Sequence, residues 1–189
     1  MKNKHLIIIM IVLILGLAGC SKSSTNIKKY LNSGAKIDTY AKDFMPALEG
    51  LPKNQDIAYK YNRISTILSD TDTMVLVVKY DDATYKSEKE KLTSKYSFLT
   101  KKVPSIYSED KYFIPEYEFS INGYEFKVVE GNDKSKAEYP KSFGMVGTSD
   151  KKKSIAYLYF YDHELDYIGE EDEKRPMANF VNKYFRYNF

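Results

Sequence analysis

One cysteine, Cys20, and two histidines, His5 and His163, are the whole supply of thiol and imidazole in 189 residues. An intramolecular disulfide and a multi-cysteine zinc or iron-sulfur site are therefore excluded. His163-Glu164 lacks the second histidine of a zinc protease HExxH motif, and no GxSxG elbow is present, so Ser-His and Cys-His nucleophilic sites have almost no material. Carboxylates are abundant: Asp162, Glu164 and Asp166, followed by Glu170 to Glu173, form the densest acidic stretch. Oxygen ligands of this kind suit Ca2+, which makes Asp162, Glu164 and Asp166 a calcium candidate. Gly169, however, falls at the eighth position of the run where an EF-hand loop needs glycine at the sixth, and a solvated connection is the simpler reading. Paired-carboxylate hydrolysis stays open, with nothing to select a pair among 26 acids. Gly144-Met145-Val146-Gly147 matches a GxxG pattern but has neither the Lys-Ser/Thr of a phosphate loop nor basic surroundings, so these read as strand or turn glycines.

Aromatic chemistry is the most concentrated. The chain has 18 tyrosines, 10 phenylalanines and no tryptophan. Over 155–161 the alternation of a strand places Tyr157, Tyr159 and Tyr161 on one face with Ile155, and Ala156, Leu158 and Phe160 on the other. Left uncovered, the tyrosine face would be a platform for a peptide or sugar. Covered, it is core. No cofactor is called for by any motif.

The N-terminal segment carries a different kind of chemistry. Lys2 and Lys4 precede an unbroken apolar run, Leu6 to Leu15, and small residues follow at Gly16, Ala18 and Gly19. This is the layout of a signal peptide. The run is about half of the ~20 residues a membrane-spanning helix needs, and polar Ser21 to Asn26 follows at once. Leu17-Ala18-Gly19-Cys20 resembles the lipobox of bacterial lipoproteins. The resemblance covers residues 1–20. It implies cleavage between Gly19 and Cys20, a diacylglyceryl group on the Cys20 sulfur, and a mature protein held on the extracytoplasmic face of the cell membrane. Two acyl chains, at ~0.8 kcal/mol per buried CH2, anchor stably where one would be marginal. Without Lys2 and Lys4, 27 basic and 26 acidic side chains remain of the original 29 and 26. That balance offers no field for a polyanion and disfavours nucleic acid. The wealth of Lys, Ile, Tyr and Asn fits a Gram-positive source with low GC content.

Stepping along the chain, residues 1–19 are the expected signal peptide, 20–35 a lipid-anchored flexible tether, and 36–189 a single domain without repeats. Ile37, Tyr40, Ala41, Phe44, Leu48 and Leu51 recur at helical spacing, with Pro46 as a break. Ile57, Tyr61, Ile64 and Leu68 favour helix over a competing strand of Ile57, Tyr59 and Tyr61. Thr73 to Tyr80 is a nearly continuous apolar run and predicts a central strand. Asp81 and Asp82 can cap a helix carrying Tyr85, Leu92, Tyr96 and Leu99. Asn122-Gly123 predicts a type I′ hairpin that sets Phe119 opposite Phe126 and Glu118 opposite Lys127. A second hairpin is expected from 142–148 and 154–161, joined through Ser149 to Lys153. Pro176 suits the first turn of a last helix with a stripe of Met177, Phe180, Val181, Tyr184 and Phe185.

The expected fold is α+β: a mainly antiparallel sheet of about five strands with helices on one face. The expected function is a noncatalytic, membrane-anchored surface domain binding a protein, peptide or envelope glycan. The alternatives are a carboxylate-dependent cell-wall hydrolase and a surface exclusion or immunity-type lipoprotein.

Overall fold

The computed structural model describes residues 20–30, 38–66, 69–131 and 140–189. Residues 1–19, with the expected signal peptide and Leu17 to Gly19 of the lipobox, lie outside the described residues. The fold is α+β, and its main sheet is antiparallel throughout. Strands β1 (Cys20–Ser24), β2 (Asp56–Ser65), β3 (Asp70–Lys79), β6 (Glu118–Ile121), β7 (Tyr124–Val128), β8 (Lys141–Ser149) and β9 (Ser154–Asp162) form it in the order β1-β2-β3-β9-β8-β7-β6. A smaller three-stranded sheet is made of β4 (Val103–Pro104), β5 (Lys111–Ile114) and β10 (Gly169–Glu170) in the order β10-β5-β4. Among the described residues, α-helices α1 (Thr39–Phe44), α2 (Asp82–Lys95) and α3 (Pro176–Phe185) pack on the main sheet. Among the described residues, no helix is long and apolar enough to cross a membrane.

Two expectations about the sheet need correction. It has seven strands where about five were counted, and both faces are covered. One face packs α3, through Met177, Phe180, Val181 and Phe185, against Ala156, Leu158 and Phe160 of β9 and Phe143 and Met145 of β8. The other packs Ala41 and Phe44 of α1 and Tyr85 and Leu92 of α2 against Tyr157 and Tyr159 of β9 and Leu76 and Val78 of β3. A strand apolar on both sides, as β9 is, requires cover on both sides.

The extra strands explain the count. Residues 57–64, read from their 3–4 spacing as a helix, form β2, paired with β3 from Asp56↔Lys79 to Ser65↔Asp70. The alternation of Ile57, Tyr59 and Tyr61 was already a strand signal, and the open edge of β3 decides for it. The expected tether at 20–35 is corrected over its described part, residues 20–30, while 31–35 lie outside the described residues. Its first residues are β1, paired with β2 from Cys20↔Ser65 to Ser24↔Tyr61. Tyr30 is buried, and its hydroxyl donates to the Pro46 carbonyl at 2.8 Å.

Elsewhere local chemistry sets local structure. Asp81 caps α2, accepting from the Thr84 N–H at 2.8 Å. Pro46 follows the end of α1, and the chain resumes in a single 3-10 turn at Leu48–Gly50. Asn122 and Gly123 have φ of 49° and 81°, and the hairpin pairs Phe119 with Phe126 and Glu118 with Lys127. The two phenyl rings stack at 5.3 Å, while Lys127 and Glu118 are 2.7 Å apart on the solvent side. Gly144 and Gly147 are strand glycines of β8, each under an aromatic ring, of Phe44 and Phe126 respectively.

Candidate functional site

The sequence-predicted platform does not form. Tyr159 is 0% exposed and Tyr157 is 4%, both beneath α1 and α2, so neither offers a stacking face. Burial also pushes both hydroxyls far above the ordinary tyrosine range. Tyr161 alone reaches the rim, half-buried, with its hydroxyl 3.4 Å from Nε2 of His163.

Beside Tyr161, the same face of the sheet turns polar. Arg63 on β2 meets two carboxylates on β3, Asp70 at 2.5 Å and Asp72 at 3.5 Å, and the Tyr61 hydroxyl donates to Asp72. Burial raises the Asp72 carboxyl, against the opposing pull of the Tyr61 hydrogen bond and the Arg63 charge. Asp70 is held low, first by the Ser65 hydroxyl and then by Arg63. Each carboxylate is engaged by a guanidinium and a hydroxyl, an arrangement that holds β2 to β3 and presents no unengaged acid to a substrate.

The calcium candidate is not assembled either. Asp162 is buried and accepts from the Thr71 hydroxyl and, at 2.7 Å, from the Glu164 N–H. Glu164 and Asp166 are exposed, and the two do not gather with the Asp162 carboxylate into a ligand set among the described residues. Among the described residues no three His, Cys, Asp or Glu side chains group to hold a metal.

What the fold does create is a cleft of about 580 Å3 at the end of the main sheet opposite Cys20. Its walls are the start of β2 (Asp56, Ala58), the exit of β3 into α2 (Lys79 to Asp82), the β8–β9 turn (Lys151 to Ser154), and Tyr124 and Tyr187. Antiparallel register brings these together. Lys79 pairs with both Asp56 and Ser154, so the β2 start and the β8–β9 turn flank the β3 exit.

The turn is held firmly. Lys153 adopts φ of 51°, and its carbonyl accepts from the Tyr80 N–H at 2.9 Å. Asp150 accepts from Lys89 and from the Tyr85 hydroxyl, both at 2.6 Å, which keeps its carboxyl below the usual range, Lys89 foremost. Lys152 lies 4.9 Å from the Tyr124 ring centre, and the Tyr124 hydroxyl is 2.6 Å from that of Ser154. Lys153 reaches Asp82 at 3.7 Å. Lys79, Lys151 and Lys152 are exposed, as are Asp56, Asp81 and Asp82. The cleft thus carries four lysines and three aspartates on a rigid frame.

It contains no histidine, cysteine or serine-base pair. The Asp81 carboxyl is lowered by its hydrogen bonds to Thr84, backbone first, so it is not a proton donor near neutral pH. Its exposed ammonium and carboxylate groups and its tyrosine edges can recognise a partner by charge and by apolar contact. Sequence alone places Lys151 to Lys153 in a hairpin connection, and the three successive lysines at that turn are the signal that marks the cleft. Comparison with family models, with curated proteins and with solved structures finds no match to this chain.

Proposed function

We propose that the protein is a lipoprotein anchored through a diacylglyceryl group on Cys20 at the extracytoplasmic face of the cell membrane, and that its domain binds a partner noncatalytically. The lysine-bearing cleft is the binding site. The observation that carries this reading is its placement. The strand that starts at Cys20 runs toward Ser24, and the cleft opens at that far end, where a membrane-tethered domain meets what lies outside the membrane.

The partner is a protein or peptide segment. Ammonium and carboxylate groups interleave over one rigid surface, which suits a chain bearing charges of both signs better than a polyanion. An exclusion or immunity-type lipoprotein would be one instance of this class. The hydrolase alternative finds no support in the cleft, where Asp82 is paired with Lys153 and Asp81 is committed to capping α2.

Two measurements test the reading separately. Cys20→Ala in the full chain should abolish acyl labelling and leave an unprocessed precursor, whereas unchanged labelling overturns the anchor. Lys151→Glu with Lys152→Glu, both exposed, should leave the fold intact and sharply reduce cross-linking of envelope polypeptides to the protein. Undiminished cross-linking overturns the cleft as the binding site.

A further inference from the structure

The described residues expose three large apolar side chains, Ile106 at 57%, Tyr107 at 53% and Tyr167 at 37%. All three lie at the end of the molecule where β1 begins. Cys20 pairs with Ser65, Ser65 with Asp70, and Thr71 with Asp162, so the end of β9 stands level with Cys20 across the sheet. At ~4.8 Å per strand, the three steps from β1 to β9 span about 14 Å. Asp166 and Tyr167 lie just beyond that end, and the Asp166 carbonyl accepts from the Ser105 hydroxyl at 3.3 Å, which ties the β4–β5 loop carrying Ile106 and Tyr107 to the same place. Lys111 sits 3.9 Å from the Tyr167 ring centre, an ammonium beside an aromatic ring.

We propose that this patch docks into the interfacial zone of the phospholipid bilayer. The inference rests on the anchor reading above. Backbone pairing of the domain starts at Cys20 itself, with no free linker between the residue that would carry lipid and the sheet. A domain joined so closely cannot stand clear of the headgroups, so its Cys20 end lies against the membrane. Tyrosine and isoleucine at such a surface bury apolar area at the acyl boundary while the hydroxyls stay among the headgroups. Around them Lys111 is offset by Asp110 and Glu170, and Glu109, Glu164, Asp166 and Glu171 to Glu173 flank the same residues in the chain, so attachment is apolar and gains nothing from anionic lipid.

The test uses the full-length lipidated protein reconstituted in phosphatidylcholine vesicles. In the wild type, a maleimide fluorophore should find no free thiol; labelling at Cys20 overturns the anchor reading and the docking with it. With Cys20 blocked, a fluorophore on Ile106→Cys should be quenched by spin-labelled lipid several-fold more strongly than one on Lys152→Cys at the opposite end. Adding Tyr107→Asp and Tyr167→Asp should lower the quenching at Ile106→Cys several-fold while the protein stays anchored, and quenching there unchanged by the two substitutions overturns docking alone. Equal quenching without those substitutions overturns docking alone. Protection of Ile106→Cys in cells without quenching in protein-free vesicles would assign the patch to a protein contact and overturns it equally.

Discussion

The Tyr159 hydroxyl donates to both carboxylate oxygens of Asp38, at 2.8 and 2.7 Å, and the same carboxylate caps α1 by accepting from the Ala41 N–H at 2.6 Å. A tyrosine in the middle of the sheet therefore fixes where the short helix above it begins. Removing the hydroxyl would leave the half-buried Asp38 carboxylate short of a donor.

Tyr159→Phe should cost about 1.5–3 kcal/mol, the range for a hydrogen bond to a charged group. Tyr159→Ser should cost more, about 3–5 kcal/mol, because it also opens a cavity beneath α1. Urea unfolding of the two variants checks the order, and a Ser variant as stable as wild type would contradict a core role for Tyr159.

Phe44 lies on Gly144 so closely that a Cβ there would fall 2.4 Å from Cε2 of its ring. Gly144→Ala should destabilise by about 1–3 kcal/mol through overpacking. In a Phe44→Leu background the penalty should shrink, a non-additivity read from a double-mutant cycle.

Gly123 has φ of 81° at the second position of the β6–β7 turn, with open space where a Cβ would stand. Gly123→Val should cost ~1 kcal/mol or more from backbone strain alone. Gly123→Asn should be better tolerated, since asparagine accepts the left-handed region. Chemical denaturation of both variants separates strain from packing.

Acid should destabilise the fold through carboxylates held low in it, Asp150 by Lys89 and Tyr85 and Asp70 by Ser65 and Arg63. For each, the folded state binds its proton less readily than the unfolded chain does. Their contribution is present above the unfolded value of about 3.9 and is lost as pH falls through the lower folded value. Asp72, raised by burial, works in the opposite sense, and its cost is relieved on acidification. Asp150→Asn should lower the urea midpoint at pH 7 and flatten its fall toward pH 3, whereas Asp72→Asn should steepen that fall. Parallel pH profiles for wild type and Asp150→Asn would remove Asp150 from the account.

Local chemistry in the sequence determined the hairpin at Asn122-Gly123, the Asp81 cap, the Pro176 start of α3 and the two-faced strand β9, because each depends on residues within a few positions of one another. The inference of a lipid-bearing Cys20 likewise comes from sequence alone. Only the tertiary structure decided the rest. Residues 57–64 satisfy both the helical and the strand period, and the unpaired edge of β3 selects the strand. Ser21 to Ser24 have no apolar pattern at all, yet they join the sheet because the outer edge of β2 offers backbone partners that any side chain can use. The tyrosine face of β9 was legible as a face, but whether helices or solvent would cover it depended on α1 and α2, which come from distant parts of the chain. The lysine cleft was invisible for the same reason. Its walls at Asp56, Lys79 and Lys153 are far apart in sequence, and antiparallel register alone makes them neighbours.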